Sequence, residues 1–255
     1  MKRNIIVTLM IMTVICAGCE KGESNTEKYT GKPNKTEVAV DAIGMAEMDA
    51  SYNTIQELMA DADYVVYAEI ENYSYAVESG SVSTNETVRV IDSLYGNIKE
   101  GEKISVFKMG GYVKIQDYIN SYEEEFREQV KNSATFENLT EDDIQNKYIS
   151  FLPEGEVETD IGSKAIYFLQ QRDEQSGVYV RVGAYEGEYV ELSDGDFKVP
   201  GMEDYEEINN MTMADGDDME GMENCIISWN EIVEQINWNR AMIGAVNEIS
   251  WKTGI

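Results

Sequence analysis

Apolar residues along this chain change their period several times, and each change marks an element. Thr54 is followed by Ile55, Leu58, Met59 and Ala62 at i, i+3, i+4, i+7 spacing, which predicts a two-turn amphipathic helix. From Asp63 the period falls to two. Val66, Ala68 and Ile70 take one face of a strand, and Tyr67, Glu69, Glu71, Tyr73 and Tyr75 take the other. After Ser79-Gly80-Ser81, Glu86 to Leu94 reads as a second strand with Val88 and Val90 inward. Gly101 leads into a third through Ile104 and Val106, stopped by Gly110-Gly111. Three short strands in succession between turn residues predict an antiparallel meander.

The pattern then turns helical. Ile115, Tyr118, Ile119, Tyr122, Phe126 and Val130 mark one face of a helix whose other face carries Glu123, Glu124, Arg127 and Glu128. Thr140 with Asp143 three residues on signals the cap of a second helix, running through Ile144, Tyr148, Phe151 and Leu152 to Pro153. Ala165 to Leu169 is an apolar run expected as a central strand. Val178, Val180, Val182 and Ala184 alternate with Tyr179, Arg181 and Tyr185. Tyr189 to Val199 reads as a hairpin turning at Ser193-Asp194-Gly195-Asp196. Ser228 with Glu231 forms a capping box, Ile227 and Ile232 a hydrophobic staple, and the helix they open carries Ile232, Val233 and Ile236 on the face that covers a sheet edge or barrel mouth.

Helix, three strands, two helices, several strands and a last helix make an α+β chain: an antiparallel sheet or small β-barrel with a helical insertion near 115–152 and a C-terminal helix. The segments Ala62 to Ile70, Val88 to Gly96, Ile104-Ser105-Val106 with Gly110-Gly111, and Gly162 to Leu169 resemble a recurring domain of Gram-positive lipoproteins of unassigned function. The likeness spans about residues 51–200 and is similar in pattern to an oligonucleotide/oligosaccharide-binding (OB-like) barrel. It implies a fold and a location, and it brings no catalytic residues.

The start of the chain agrees with that location. Lys2 and Arg3 precede an uncharged apolar run from Ile5 to Ile15, too short to span a bilayer and typical of a secretory signal. Cys16-Ala17-Gly18-Cys19 looks like the lipobox of bacterial lipoproteins, with Cys16 where Leu is usual. By that resemblance residues 1–18 are removed, and Cys19 carries the lipid (palmitate among its chains) that holds the protein to the outer face of the cell membrane. Residues 19–50 read as a flexible tether, with Val38 to Met48 able to pack as a short helix.

Composition narrows the chemistry. Over 255 residues, 42% apolar content is enough for a core, and a formal net charge of −29 opposes binding to nucleic acid or lying on an anionic bilayer. Histidine is absent, which removes the usual base of serine and cysteine hydrolases and the commonest zinc ligand. Cys225, beside Ile226-Ile227, is expected to be buried. From Gly201 to Asn224 there are nine carboxylates and no Lys or Arg, read as a solvated acidic loop. Asp215, Asp217, Asp218 and Glu220 are oxygen ligands of the kind calcium takes, yet Glu220 stands where an EF-hand loop needs Gly. Tyr67, Tyr73 and Tyr75, extended by Tyr179 and Tyr185, would make a flat strand face suited to a cell-wall glycan or a basic peptide. With no catalytic motif, the expectation is a non-enzymatic binding or interaction module needing no cofactor. The alternatives are a carboxylate-based hydrolase of wall glycans and a calcium-responsive envelope protein.

Overall fold

Cross-strand pairing brings the period-two segments together into a sheet that returns on itself. The computed structural model describes residues 29–44, 51–153, 155–172, 177–193, 195–201 and 225–253. The signal segment with Cys19, and the acidic loop with Asp215, Asp217, Asp218 and Glu220, lie outside the described residues.

The larger sheet is built on β3 (Tyr64–Glu78), β4 (Ser81–Tyr95), β5 (Lys103–Met109), β8 (Lys164–Gln171) and β9 (Val178–Arg181). β3 pairs with β4, β4 with β5, β5 in parallel with β9, β9 with β8, and β8 again with β3, so the pairings form a ring of five strands. β1 (Tyr29–Thr30) adds to the far half of β3, while β10 (Glu188–Ser193), β11 (Asp196–Lys198) and β12 (Ile226–Ser228) extend the sheet beyond β8. The fold is mixed α+β with a C-terminal helix, as expected.

Three register shifts bend the β3–β4 ribbon: at Leu94, at Ile91 and at Glu71, each an extra residue on one strand. The third reverses an expectation. Glu71 stands between the pairs Ile70–Val88 and Asn72–Thr87, so the strand changes phase there. Ala68 and Ile70 face the interior before the bulge; Tyr73, Tyr75 and Val77 face it afterwards, all buried. Tyr73 and Tyr75 therefore do not share the outer face of Tyr67. A similar inversion occurs in β9, where Arg181 lies opposite the inward Leu169 and Tyr179 opposite the inward Val106.

A second sheet of three strands, β2 (Val38–Gly44), β7 (Tyr148–Pro153) and β6 (Gly111–Lys114), holds the insertion. Here too the structure differs from the periodicity. The helix expected through Leu152 is α4 (Glu141–Asn146) alone, capped by Thr140 and Asp143 as the spacing requires. Tyr148–Pro153 is a strand because both its edges are paired, to β6 and to β2. Val38–Gly44, expected as helix in the tether, alternates and pairs in parallel with β7, and Val38, Val40 and Ala42 pack on the core. The helix expected over 115–130 is split into α2 (Ile115–Asn120) and α3 (Glu124–Lys131). At the break Ser121 Oγ donates to the Tyr118 carbonyl at 2.7 Å and accepts from Gly80 N–H at 2.9 Å, which closes the first helix.

Two cores result. One fills the ring and the space under the insertion, around Val66, Ile70, Val88, Val106, Ile149 and Tyr167. The other lies on the outer side of β3 and β8, where α1 (Ile55–Asp61) and α5 (Trp229–Thr253) cover Val65, Ile166, Phe168 and Phe197. Ile232 and Ile236 are fully buried there, and Ser228 Oγ and Glu231 close the capping box. Cys225 is buried, as its apolar neighbours imply. Among the described residues no helix is long and apolar enough to cross a membrane.

Candidate functional site

The inward faces of β4 and β5 begin as apolar rows and end in charge. Val90, Val88, Glu86 and Thr84 follow one another inward on β4; Ile104, Val106 and Lys108 do so on β5. The ring therefore has an apolar half and a polar half. In the polar half Lys108 Nζ lies 2.9 Å from Glu86 Oε1, 3.1 Å from Glu156 Oε1 and 2.9 Å from Glu188 Oε2. Arg181 forks onto Glu156 at 2.8 and 2.7 Å and reaches Glu188 Oε2 at 2.5 Å. None of these five side chains is more than 6% exposed.

Burying five ionisable groups is tolerable only when they satisfy one another. Burial opposes the charge on Lys108, but Glu188 and Glu86 outweigh it and hold the ammonium above its ordinary range. Burial also works against Glu156, yet Arg181 and Lys108 overcome it and bring its carboxyl down to about 2. Glu86 goes the other way: burial, partly offset by Lys108 and reinforced by Glu188, raises it. A proton on Glu86 leaves two cations facing two carboxylates, an electrically balanced set. Tyr167 Oη donates to Glu86 Oε2 at 3.2 Å, and Thr159 Oγ1, which accepts from Tyr73 Oη at 3.0 Å, donates to Glu86 Oε1 at 3.4 Å. Arg181 Nε and Glu188 Oε1 are buried without a partner among the described residues.

A cleft of about 40 Å³ opens onto this cluster, lined by Tyr73, Tyr75 and Tyr112 and reaching Glu86, Lys108 and Glu156. Tyr73 and Tyr75 stack with centroids 6.2 Å apart and planes at 11°; Tyr112 meets Tyr75 edge-on at 5.7 Å. At the rim Lys32 Nζ binds Glu158 at 2.9 Å, and Tyr112 Oη donates to the same carboxylate. Gly110 and Gly111 make the corner between β5 and β6, both with positive φ. A Cβ on Gly111 would lie 2.4 Å from Thr84 Oγ1 and 2.6 Å from the Tyr75 ring, so only glycine lets the corner sit against the cleft wall.

The expected tyrosine face is thus divided. Tyr73 and Tyr75 come together in the cleft. Tyr67 is on the opposite side of the sheet, packed edge-on to Phe197 and Trp229 and bonded to Glu191 at 2.9 Å. Tyr179 meets Tyr64 at 5.5 Å, and Tyr185 closes over Gly155 and Gly201. Glu69 and Glu71 are taken by Arg89, at 2.6 and 3.1 Å.

Sequence reasoning missed the charge cluster. A signal existed for half of it: Glu86 and Lys108 continue the inward rows of Val88–Val90 and Ile104–Val106. None existed for Arg181, where three valines advertised the wrong phase. Among the described residues no group of Asp, Glu or Cys is arranged to hold a metal. No protein-family model, curated protein or solved structure matches this chain.

Proposed function

We propose that this protein is a lipid-anchored module of the bacterial cell envelope, held to the membrane through Cys19, and that its ring of strands is a small OB-like barrel whose tyrosine cleft binds a neutral wall glycan. The observation that carries the ligand class is the pairing of aromatic rings with a compensated charge floor. The chain as a whole repels anions, but at the cleft Lys108 pairs with Glu86 and Glu156, and Lys32 with Glu158. A polyhydroxy ligand stacks its ring on tyrosine and both donates to carboxylates and accepts from ammonium groups. A basic peptide would meet two cations there, Lys32 and Lys108.

The test is calorimetric titration of neutral glycan fragments of the wall into the purified chain. Saturable binding weakened by Thr159→Val and Glu158→Gln supports the reading, and no heat with any fragment overturns it. Fractionation of cells carrying Cys19→Ala tests the anchor: release from the membrane is expected, and undiminished retention would refute lipidation there.

One observation favours a second reading, a carboxylate-based glycan hydrolase. Glu86 is raised and Glu156 lowered, and both line the cleft, which is the division that acid and base roles require. Against it, both side chains are saturated by Lys108 and Arg181 contacts. Release of reducing sugar that disappears in Glu86→Gln would replace the binder by the hydrolase.

A further inference from the structure

α3 is an amphipathic helix with no buried residue: its apolar Phe126 and Val130 line a cavity, and Val130 also packs against the edge of the core. That cavity, about 560 Å³, lies between α3, the Ser133–Phe136 turn, Tyr118 of α2 and the β2–β7 strands. It is far larger than the cleft and is built from different residues. Tyr118 stacks on Phe151 at 5.1 Å and meets Phe136 and Tyr122 edge-on, so aromatic faces make most of its wall. No charged side chain lines it, although charged residues make up 27% of the chain. Gln129, Ser133 and Thr135 supply uncharged polar groups, and the Tyr118 and Tyr122 hydroxyls converge at 2.8 Å.

We infer that the helical insertion is a second binding site, which takes a small uncharged aromatic molecule bearing one hydrogen-bonding oxygen. An ionic ligand would find no counter-charge and would lose its hydration. A flat ring continues the Tyr118–Phe151 stack, whereas Ala42, Val130 and Ile149 supply too little aliphatic wall for an extended acyl chain. The oxygen would accept from the tyrosine pair, and its position selects among apolar rings, since the pair bonded only to itself leaves one hydroxyl proton free to donate. α3 then acts as the cover: it is tied down by short connections at both ends, none of its residues is buried, and Phe126 is 46% exposed.

The probe is Nile red, an uncharged polycycle with a carbonyl, titrated into the full chain and followed by emission and by melting temperature. One saturable site with a raised melting temperature is expected. Ser133→Trp, which fills the cavity, should abolish saturation. Tyr122→Phe keeps the ring and removes one hydroxyl, so it should weaken Nile red about threefold to tenfold while leaving pyrene, which has no oxygen, unchanged. Trp238→Ala removes an exposed ring on α5 and should change nothing. Binding that does not saturate, or that survives Ser133→Trp in a folded variant, overturns the site. Tighter binding of cis-parinaric acid than of Nile red overturns the ligand class. Equal losses for pyrene and Nile red in Tyr122→Phe overturn the role of the hydroxyls.

Discussion

Arg181 and Glu156 are joined by two parallel hydrogen bonds of 2.8 and 2.7 Å inside the ring, although Glu156 follows the insertion and Arg181 ends β9. The contact ties the connection after β7 to the sheet, and Lys108 of β5 and Glu188 of β10 share it. A fork of this kind matches the planar guanidinium to a carboxylate and suits no other cation equally well.

Removing one partner of such a set is expected to cost more than the set itself contributes, because the survivors stay buried and unpaired. Arg181→Met should destabilise the protein by about 3–5 kcal/mol. Arg181→Lys, which keeps the charge and loses the fork, should cost less. Urea midpoints at neutral pH check the order; a midpoint for Arg181→Met equal to the parent would show that the cluster is not formed.

Glu86 and Glu156 should tilt stability in opposite directions with pH. Glu156 is lowered to about 2, so its contribution is complete above the unfolded-state value and is lost as pH falls toward about 2. Glu86 is raised, so the folded state holds its proton more tightly than the unfolded chain does. Stability then declines as pH climbs from the ordinary carboxylate range through the folded value. Glu86→Gln removes only that decline. The stability difference between Glu86→Gln and the parent, from unfolding curves at several pH values between 4 and 8, should move in favour of the variant as pH rises. A difference independent of pH would place Glu86 in an ordinary environment.

Deleting Glu71 should heal the bulge and leave the register beyond it intact, because it removes the one unpaired residue and keeps Asn72 opposite Thr87 and Tyr73 opposite Glu86. Tyr73 and Tyr75 would then stay inward by plain alternation from Ile70. The deletion is expected to unfold cooperatively with its tyrosines protected from iodide quenching, and exposed tyrosines would show that the extra residue does not set the phase. Glu71→Ala keeps the residue count, loses only the surface contacts to Arg89 and Lys103, and should stay folded.

Gly111→Ala places a methyl group against Thr84 and Tyr75 at a φ of +129°. A strained backbone position of this sort costs about 1–3 kcal/mol, and the clash adds to it. Gly101→Ala has positive φ and no atom within 4 Å, so it should cost less. Thermal melts of the two variants separate backbone strain from crowding.

The parts legible in the sequence are those decided within a few residues. The helix caps at Thr140 and Ser228 form as their spacing requires. The inward sets Val66–Ala68–Ile70, Val88–Val90 and Ile104–Val106 are buried together, and Ala165–Leu169 is a central strand buried on both faces. Local patterns failed where two segments had to meet. Tyr148–Pro153 carries apolar residues at spacings that fit either period, and only the unpaired edges of β2 and β6 make it a strand.

The sequence by itself determined the α+β class, the elements from Ile55 to Val106 and the caps at Thr140 and Ser228, because hydrogen-bond capping and side-chain period act over one or two turns. Only the tertiary structure decided the phase of β3 beyond Glu71, the inward turn of Arg181 and the tyrosine cleft. A bulge is a property of two paired strands, and a buried charge is stable only where partners from other strands converge on it; neither condition is written in any one segment.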